Sequence, residues 1–147
     1  MKKPNQPELE TDPRFPSGPW TGFWIQQWAG KQKKMQLSFI FCEGRISGEG
    51  RDIIGKFSFS GQYDLKTGRC LLTKQYLHAH RVEYDGVNEG QPLWLWGLWT
   101  LGRDKGGFHL WPAGEPDPTQ QRTATGIELP SENQDRRQRV PSDLLPF

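Results

Sequence analysis

"RCLLTKQYLHAHRVEY", residues 69–84, contains neither glycine nor proline. As a single strand it would span about 50 Å at ~3.3 Å per residue, against a usual strand of about five or six residues. A turn is therefore hidden inside it, and Leu77-His78-Ala79 is its place. The residues on either side alternate. Lys74 and Tyr76 share one side of the first arm, and His80, Val82 and Tyr84 share one side of the second. Two strands joined by so short a link pair antiparallel.

The same two-residue period runs outward in both directions. In residues 56–63, Phe57, Phe59, Gly61 and Tyr63 alternate with Lys56, Ser58, Ser60 and Gln62. "KMQLSFIFC" (34–42) sets Met35, Leu37, Phe39 and Phe41 against Gln36, Ser38, Ile40 and Cys42. "WTGFWIQQW" (20–28) puts Trp20, Gly22, Trp24, Gln26 and Trp28 on one side. Beyond the polar loop 86–92, "LWLWGLWTL" (93–101) is apolar on both faces, and "FHLWP" (108–112) ends the series. No segment carries a 3.6-residue period. The expected fold is all-β: an antiparallel up-and-down meander of about eight strands, closed into a barrel that has no exposed edge. A two-sheet sandwich competes, but its crossovers usually need longer connections, and only 86–92 is long enough.

Composition sets the limits of the domain. The chain has 147 residues, the size of one ordinary domain. All 7 tryptophans lie between Trp20 and Trp111, which places the folded part at 18–111. Residues 1–17 are polar and proline-rich and read as a disordered arm. Residues 112–147 carry few large apolar side chains and read as a mostly disordered tail. The net charge of +2, from 19 basic and 17 acidic residues, gives no reason to expect a nucleic-acid partner. Cys42 and Cys70 form no CxxC pair and are expected as buried, reduced thiols. The first residues lack an apolar leader, and no apolar run approaches the ~20 residues of a membrane span. The expected location is the cytoplasm, with no membrane partner.

The first strand contains Gly22-Phe23-Trp24, which matches the G-x-W of lipocalins. With the meander, residues 18–111 resemble the calycins, the lipocalin and avidin kind of barrel. The resemblance implies that Trp24 plugs one end and that the barrel has an interior site; it does not imply biotin. "GEGRDIIGKF" (48–57) is also similar to a G-x-G-x-D-x-x-G-x-F pattern of small barrel domains, to which no chemistry attaches.

That glycine loop has three readings. A phosphate cradle needs amides leading into a helix, whereas these glycines lead into a strand. A calcium loop needs more carboxylates than Glu49 and Asp52. The structural reading remains: Gly48, Gly50 and Gly55 supply positive φ or close approach at a barrel corner. Asp52 accepts hydrogen bonds from loop amides, and Ile53 and Ile54 form a lid over the mouth. His78 and His80 suggest a metal, but a turn through His78 would splay the two imidazoles, so none is expected, and no other cofactor is.

Strict alternation sends Lys74, Tyr76, His80 and Tyr84 inward together. With Trp24 and Trp99 as aromatic walls, these residues make the candidate ligand site: a wet cavity with an ammonium at one level and an imidazole at another, the charge serving binding rather than folding. The leading expectation is a non-enzymatic protein that binds a small, partly apolar or aromatic ligand inside the barrel. An alternative is an interaction or scaffold module with a filled barrel and an outer tryptophan face. A third is a small barrel enzyme using Lys74 and His80 as acid and base, although no catalytic constellation has recognisable spacing. Trp94 and Trp96 fall on the outer face, where a second subunit or the tail would cover them, so a homo-oligomer is also expected.

Overall fold

The computed structural model describes residues 8–27 and 30–120. Among these residues lie eight strands: β1 (Gly18–Gln26), β2 (Lys33–Cys42), β3 (Arg45–Arg51), β4 (Lys56–Tyr63), β5 (Arg69–Tyr76), β6 (Arg81–Asn88), β7 (Leu95–Leu101) and β8 (Asp104–Pro112). Each pairs antiparallel with its neighbour in the chain, and β8 pairs with β1. The result is the closed up-and-down barrel that the alternation implies. The hidden turn falls between Tyr76 and Arg81. His78 takes a left-handed φ of 58°, and the Tyr76 amide donates to the His80 carbonyl at 3.1 Å.

Alternation sorts the side chains. In β2, Met35, Leu37, Phe39 and Phe41 are buried, while Lys34, Gln36, Ser38 and Ile40 face outward. The inward rings meet inside the barrel: Phe39 with Trp20 of the neighbouring strand at 5.3 Å and, each over one intervening strand, Phe59 with Tyr84 at 5.1 Å and Tyr84 with Phe108 at 4.6 Å between centroids. Below its mouth the barrel is thus packed with an aromatic cluster, each ring of which contributes roughly 1.5–3 kcal/mol of burial. Gly48 and Gly50 lie within β3 rather than at a corner. A Cβ on Gly50 would run into the Gln36 carbonyl of β2, so close approach is the reason for glycine there. The corner itself is Gly55, with φ 151°.

One end of the barrel is closed by a segment expected to be a free arm. Residues 1–7 lie outside the described residues, but from Glu8 the chain is seated on the barrel. Leu9 bridges Cys42, and the Glu10 amide donates to the Phe41 carbonyl at 2.9 Å. Phe15 is fully buried, 4.8 Å from the Tyr63 ring and 5.3 Å from that of Phe41. Tyr63 donates to Glu10 at 2.6 Å, and Asn88 donates through its amide to the Arg14 carbonyl at 2.9 Å. One aromatic side chain and a few directed hydrogen bonds offset the ordering entropy of a polar segment; composition averages over both.

Cys70 is buried and its thiol is pushed up to about 12 by desolvation, while Cys42 is half-buried; both are unbridged. The chain divides after Glu115. Of the second unit, residues 116–120 are described. They form one 3-10 turn, Pro118–Gln120, whose Thr119 amide donates to Asp117 at 2.8 Å. The rest of the tail, 121–147, lies outside the described residues. Among the described residues, no helix is long and apolar enough to cross a membrane.

Candidate binding site

The end opposite Phe15 is the mouth. The C-terminal ends of β1, β3, β5 and β7 reach it, as do the N-terminal ends of β2, β4, β6 and β8. The loop from β3 to β4, residues 52–55, crosses this rim and carries Asp52 to its inner edge. There the Asp52 side chain is wholly buried. Its Oδ2 accepts hydrogen bonds from Lys74 Nζ at 2.6 Å, Tyr76 Oη at 2.6 Å and Trp24 Nε1 at 3.1 Å. Its Oδ1 accepts from the amides of Ile54 at 2.9 Å and Gly55 at 3.4 Å. One carboxylate therefore holds the loop backbone, two aromatic walls and the lysine of β5.

Lys74 is fully buried. Its phase in β5 points it at the axis, opposite Phe59 of β4 and Val82 of β6. Besides Asp52 it donates to Tyr84 Oη at 3.3 Å. Its ammonium stands 4.3 Å from the centroid of Phe57, 4.8 Å from that of Tyr76 and 5.5 Å from that of Tyr84. The ring faces share in stabilising the charge. Desolvation still pulls the ammonium down to about 8, with the Asp52 hydrogen bond and charge opposing it. Burial pushes the Asp52 carboxyl up, but the hydrogen bonds from Lys74 and Tyr76 and the ammonium's charge outweigh it, so the group lies below the usual aspartate range. Burial, reinforced by the bond to Asp52, raises the Tyr76 phenol.

Above this cluster lies a cavity of about 160 Å³ open at the mouth. Val82, Tyr84, Trp24, Tyr76 and Trp99 line it, and Ile54 of the loop overhangs it. Gln26, His80, Leu101 and Asp104 complete the rim. The Trp24 and Trp99 rings meet edge to face at 5.6 Å. Trp99 Nε1 donates to the Ile25 carbonyl at 2.9 Å. Gly106 makes room for that indole; a Cβ there would strike both it and the Ile25 carbonyl. Each polar atom on the four aromatic walls thus has a partner within the protein, and the polar side chains that line the cavity, Gln26, His80 and Asp104, stand at its lip.

The expected site residues separate into levels. Trp24, Tyr76, Tyr84 and Trp99 line the cavity. Lys74 lies beneath the aromatic walls and is engaged by Asp52, so the ammonium is part of the frame and the cavity lacks the charged level expected of it. His80 is exposed at the rim, its ring 5.0 Å from that of Tyr76. Both Lys74 and His80 touch Tyr76, but only Lys74 is inside; β6 begins at Arg81, so the inward phase that holds for Val82 and Tyr84 stops short of His80. Of the lid residues, Asp52 is the anchor, Ile54 overhangs the cavity, and Ile53 is 78% exposed. Trp24 does not plug an end: it is a wall of the open one, and Phe15 and Trp20 fill the other. Gln26, Leu101 and Asp104 were not anticipated. Their signal was position alone, since each sits at the mouth end of a strand. Trp28 lies outside the described residues.

Trp94 and Trp96 lie together on the outer face, 5.7 Å apart, and Trp94 Nε1 donates to His109 Nδ1 at 3.1 Å. The chain matches no family model, and no curated protein or solved structure is significantly similar to it.

Proposed function

We propose that the protein is a non-enzymatic binding module that receives the flat, apolar end of a small molecule in the barrel mouth. The observation that carries this reading is the aromatic cavity whose wall donors are already engaged elsewhere. Such a wall offers shape and ring contacts and leaves no unmet hydrogen bond for a hydrocarbon ring to offend. An apolar cavity of about 150 Å³ is known to hold benzene, so this one has room for about one ring. The test is titration of the full chain with benzyl alcohol, followed through the indole N–H signals of Trp24 and Trp99. Both signals should shift saturably, and Val82→Phe, which fills the cavity floor, should abolish the shifts while far-UV circular dichroism stays unchanged. Absence of any saturable shift in the wild type would sink the reading.

A second reading attaches to the outer face. Trp94 and Trp96, with Leu98 beyond them, form an apolar patch that a second copy could bury against its own equivalent about a twofold axis. Native mass spectrometry should then show a dimer that Trp96→Glu converts to a monomer; a monomeric wild type removes this reading.

A further inference from the structure

We infer that the ring taken by the mouth carries an anionic group, a carboxylate or a phosphate, held above the cavity by a basic rim. This rests on the reading of the mouth as a binding site and adds the chemical class of the ligand. The near-neutral total charge conceals a strong asymmetry between the two ends of the barrel. Lys31 precedes β2 and Lys33 begins it; Arg51 ends β3 and Lys56 begins β4; Arg81 begins β6; Arg103 sits in the turn from β7 to β8. All lie at the mouth end, and all but the half-buried Lys33 are exposed. Among the described residues none is ion-paired. Asp104 is the exposed carboxylate of that rim, since Glu49 and Glu83 lie two residues further down their strands and Asp52 is buried against Lys74. The closed end has the opposite balance, with Glu10, Asp12, Glu43, Asp64 and Glu89 against Arg14, Arg45, Lys66 and Arg69, of which Arg14 is paired with Asp12 and Arg69 with Asp85.

The rim also bears a local cost. Arg51 and Lys56 are direct register partners, both exposed. Like charges directly opposite on neighbouring strands destabilise a sheet. The pair has the outward phase of its strands, beside the inward pair Gly50 and Phe57, and places its two charges on the outer side of the rim. Low-dielectric aromatic walls ringed by one sign of charge concentrate the opposite sign at the opening. The ion pair beneath the cavity does not set the preference, because Lys74 and Asp52 together are neutral. The cavity's lack of unmet donors selects a hydrocarbon ring, and the rim selects the sign of its substituent.

Three probes that share a ring and differ in charge test this: phenylacetate, benzyl alcohol and benzylamine, titrated calorimetrically into the full chain. At about 0.01 M salt, where the Debye length is ~30 Å, phenylacetate should bind about five- to tenfold tighter than benzyl alcohol, and benzylamine weakest. At about 1 M salt, where the length is ~3 Å, the three should fall within about twofold of one another. Arg81→Glu combined with Arg103→Glu should invert the order at low salt; should that variant fail to fold, the salt series on the wild type decides alone. Equal binding of phenylacetate and benzyl alcohol at low salt, or tightest binding of benzylamine, would overturn the inference and leave the cavity reading standing. Failure of all three probes would overturn both.

Discussion

At the scale of the residue, the molecule turns on Asp52. Removing one partner of a buried ion pair leaves a desolvated charge, whereas removing both leaves none. Asp52→Asn and Lys74→Met should each lower stability by about 3–5 kcal/mol, and the double variant should recover much of that loss. Urea midpoints of the four proteins would measure the coupling; additive losses would mean that the two groups act independently. The charge of Lys74 was expected to serve binding and leave folding indifferent, and its contact with Asp52 reverses that expectation. Linkage adds a pH signature. Folded Lys74 releases its proton at about 8 against 10.5 for an ordinary lysine. Between those values the unfolded chain binds more protons, so this group makes stability rise with pH there. Asp52 has the lowered folded value of a stabilised carboxylate. Its contribution is complete above the ordinary aspartate value and is lost as pH falls through the folded one. Denaturation midpoints across pH 7–9, below the range where the raised Cys70 thiol acts in the opposite sense, should show the alkaline rise in the wild type, and Lys74→Met should abolish it. Alternation made the inward phase of Lys74 legible. Its partner was not, because Asp52 lies 22 residues away in a loop without a period.

At the scale of the element, the seated N-terminal segment matters most. Phe15 packs against Phe41 and Tyr63, and Phe→Ala in a core costs about 3–5 kcal/mol. Phe15→Ala should lower the unfolding free energy obtained from urea titration by that amount, whereas an aromatic on a free arm would change it by almost nothing. The strands of this barrel were readable because one face of each is buried and the other is wet, so the period shows in β2, β4, β5 and β6. The hidden turn followed from the length of an uninterrupted strand. The seated segment could not be read this way. It is not periodic, and its tie to the barrel is one ring and a handful of hydrogen bonds, none of which leaves a pattern. The level of the cavity, above Lys74 rather than around it, escaped for a related reason: an alternating pattern tells which side chains face inward but not which levels of the axis they fill.

At the scale of the whole molecule, the barrel has no edge. β1 and β8 are joined by seven register pairs, from Trp20 opposite Pro112 to Gln26 opposite Gly106. The first and last strands should therefore exchange their amide hydrogens only by global unfolding, as slowly as β4 and β5 do. Hydrogen exchange under mildly destabilising conditions would show it, and early loss of protection in β1 and β8 would reveal a seam that opens by itself. Closure was legible from the number of strands and the short links, which together leave a meander two edges with nowhere else to go. The charge asymmetry between the ends was not, because a net charge carries no position until the topology assigns each loop to an end.

The joining of β1 to β8 also has a consequence for biosynthesis. A ribosome adds roughly 5–20 residues per second, so β1 emerges seconds before the strand that completes its pairing. During that interval Trp20, Phe23 and Trp24 have a partner on one side only, and one edge of the growing sheet is open to other nascent chains. Synthesis thus exposes this barrel to the aggregation hazard that its finished form removes, and the hazard lasts until the ribosome has delivered Pro112.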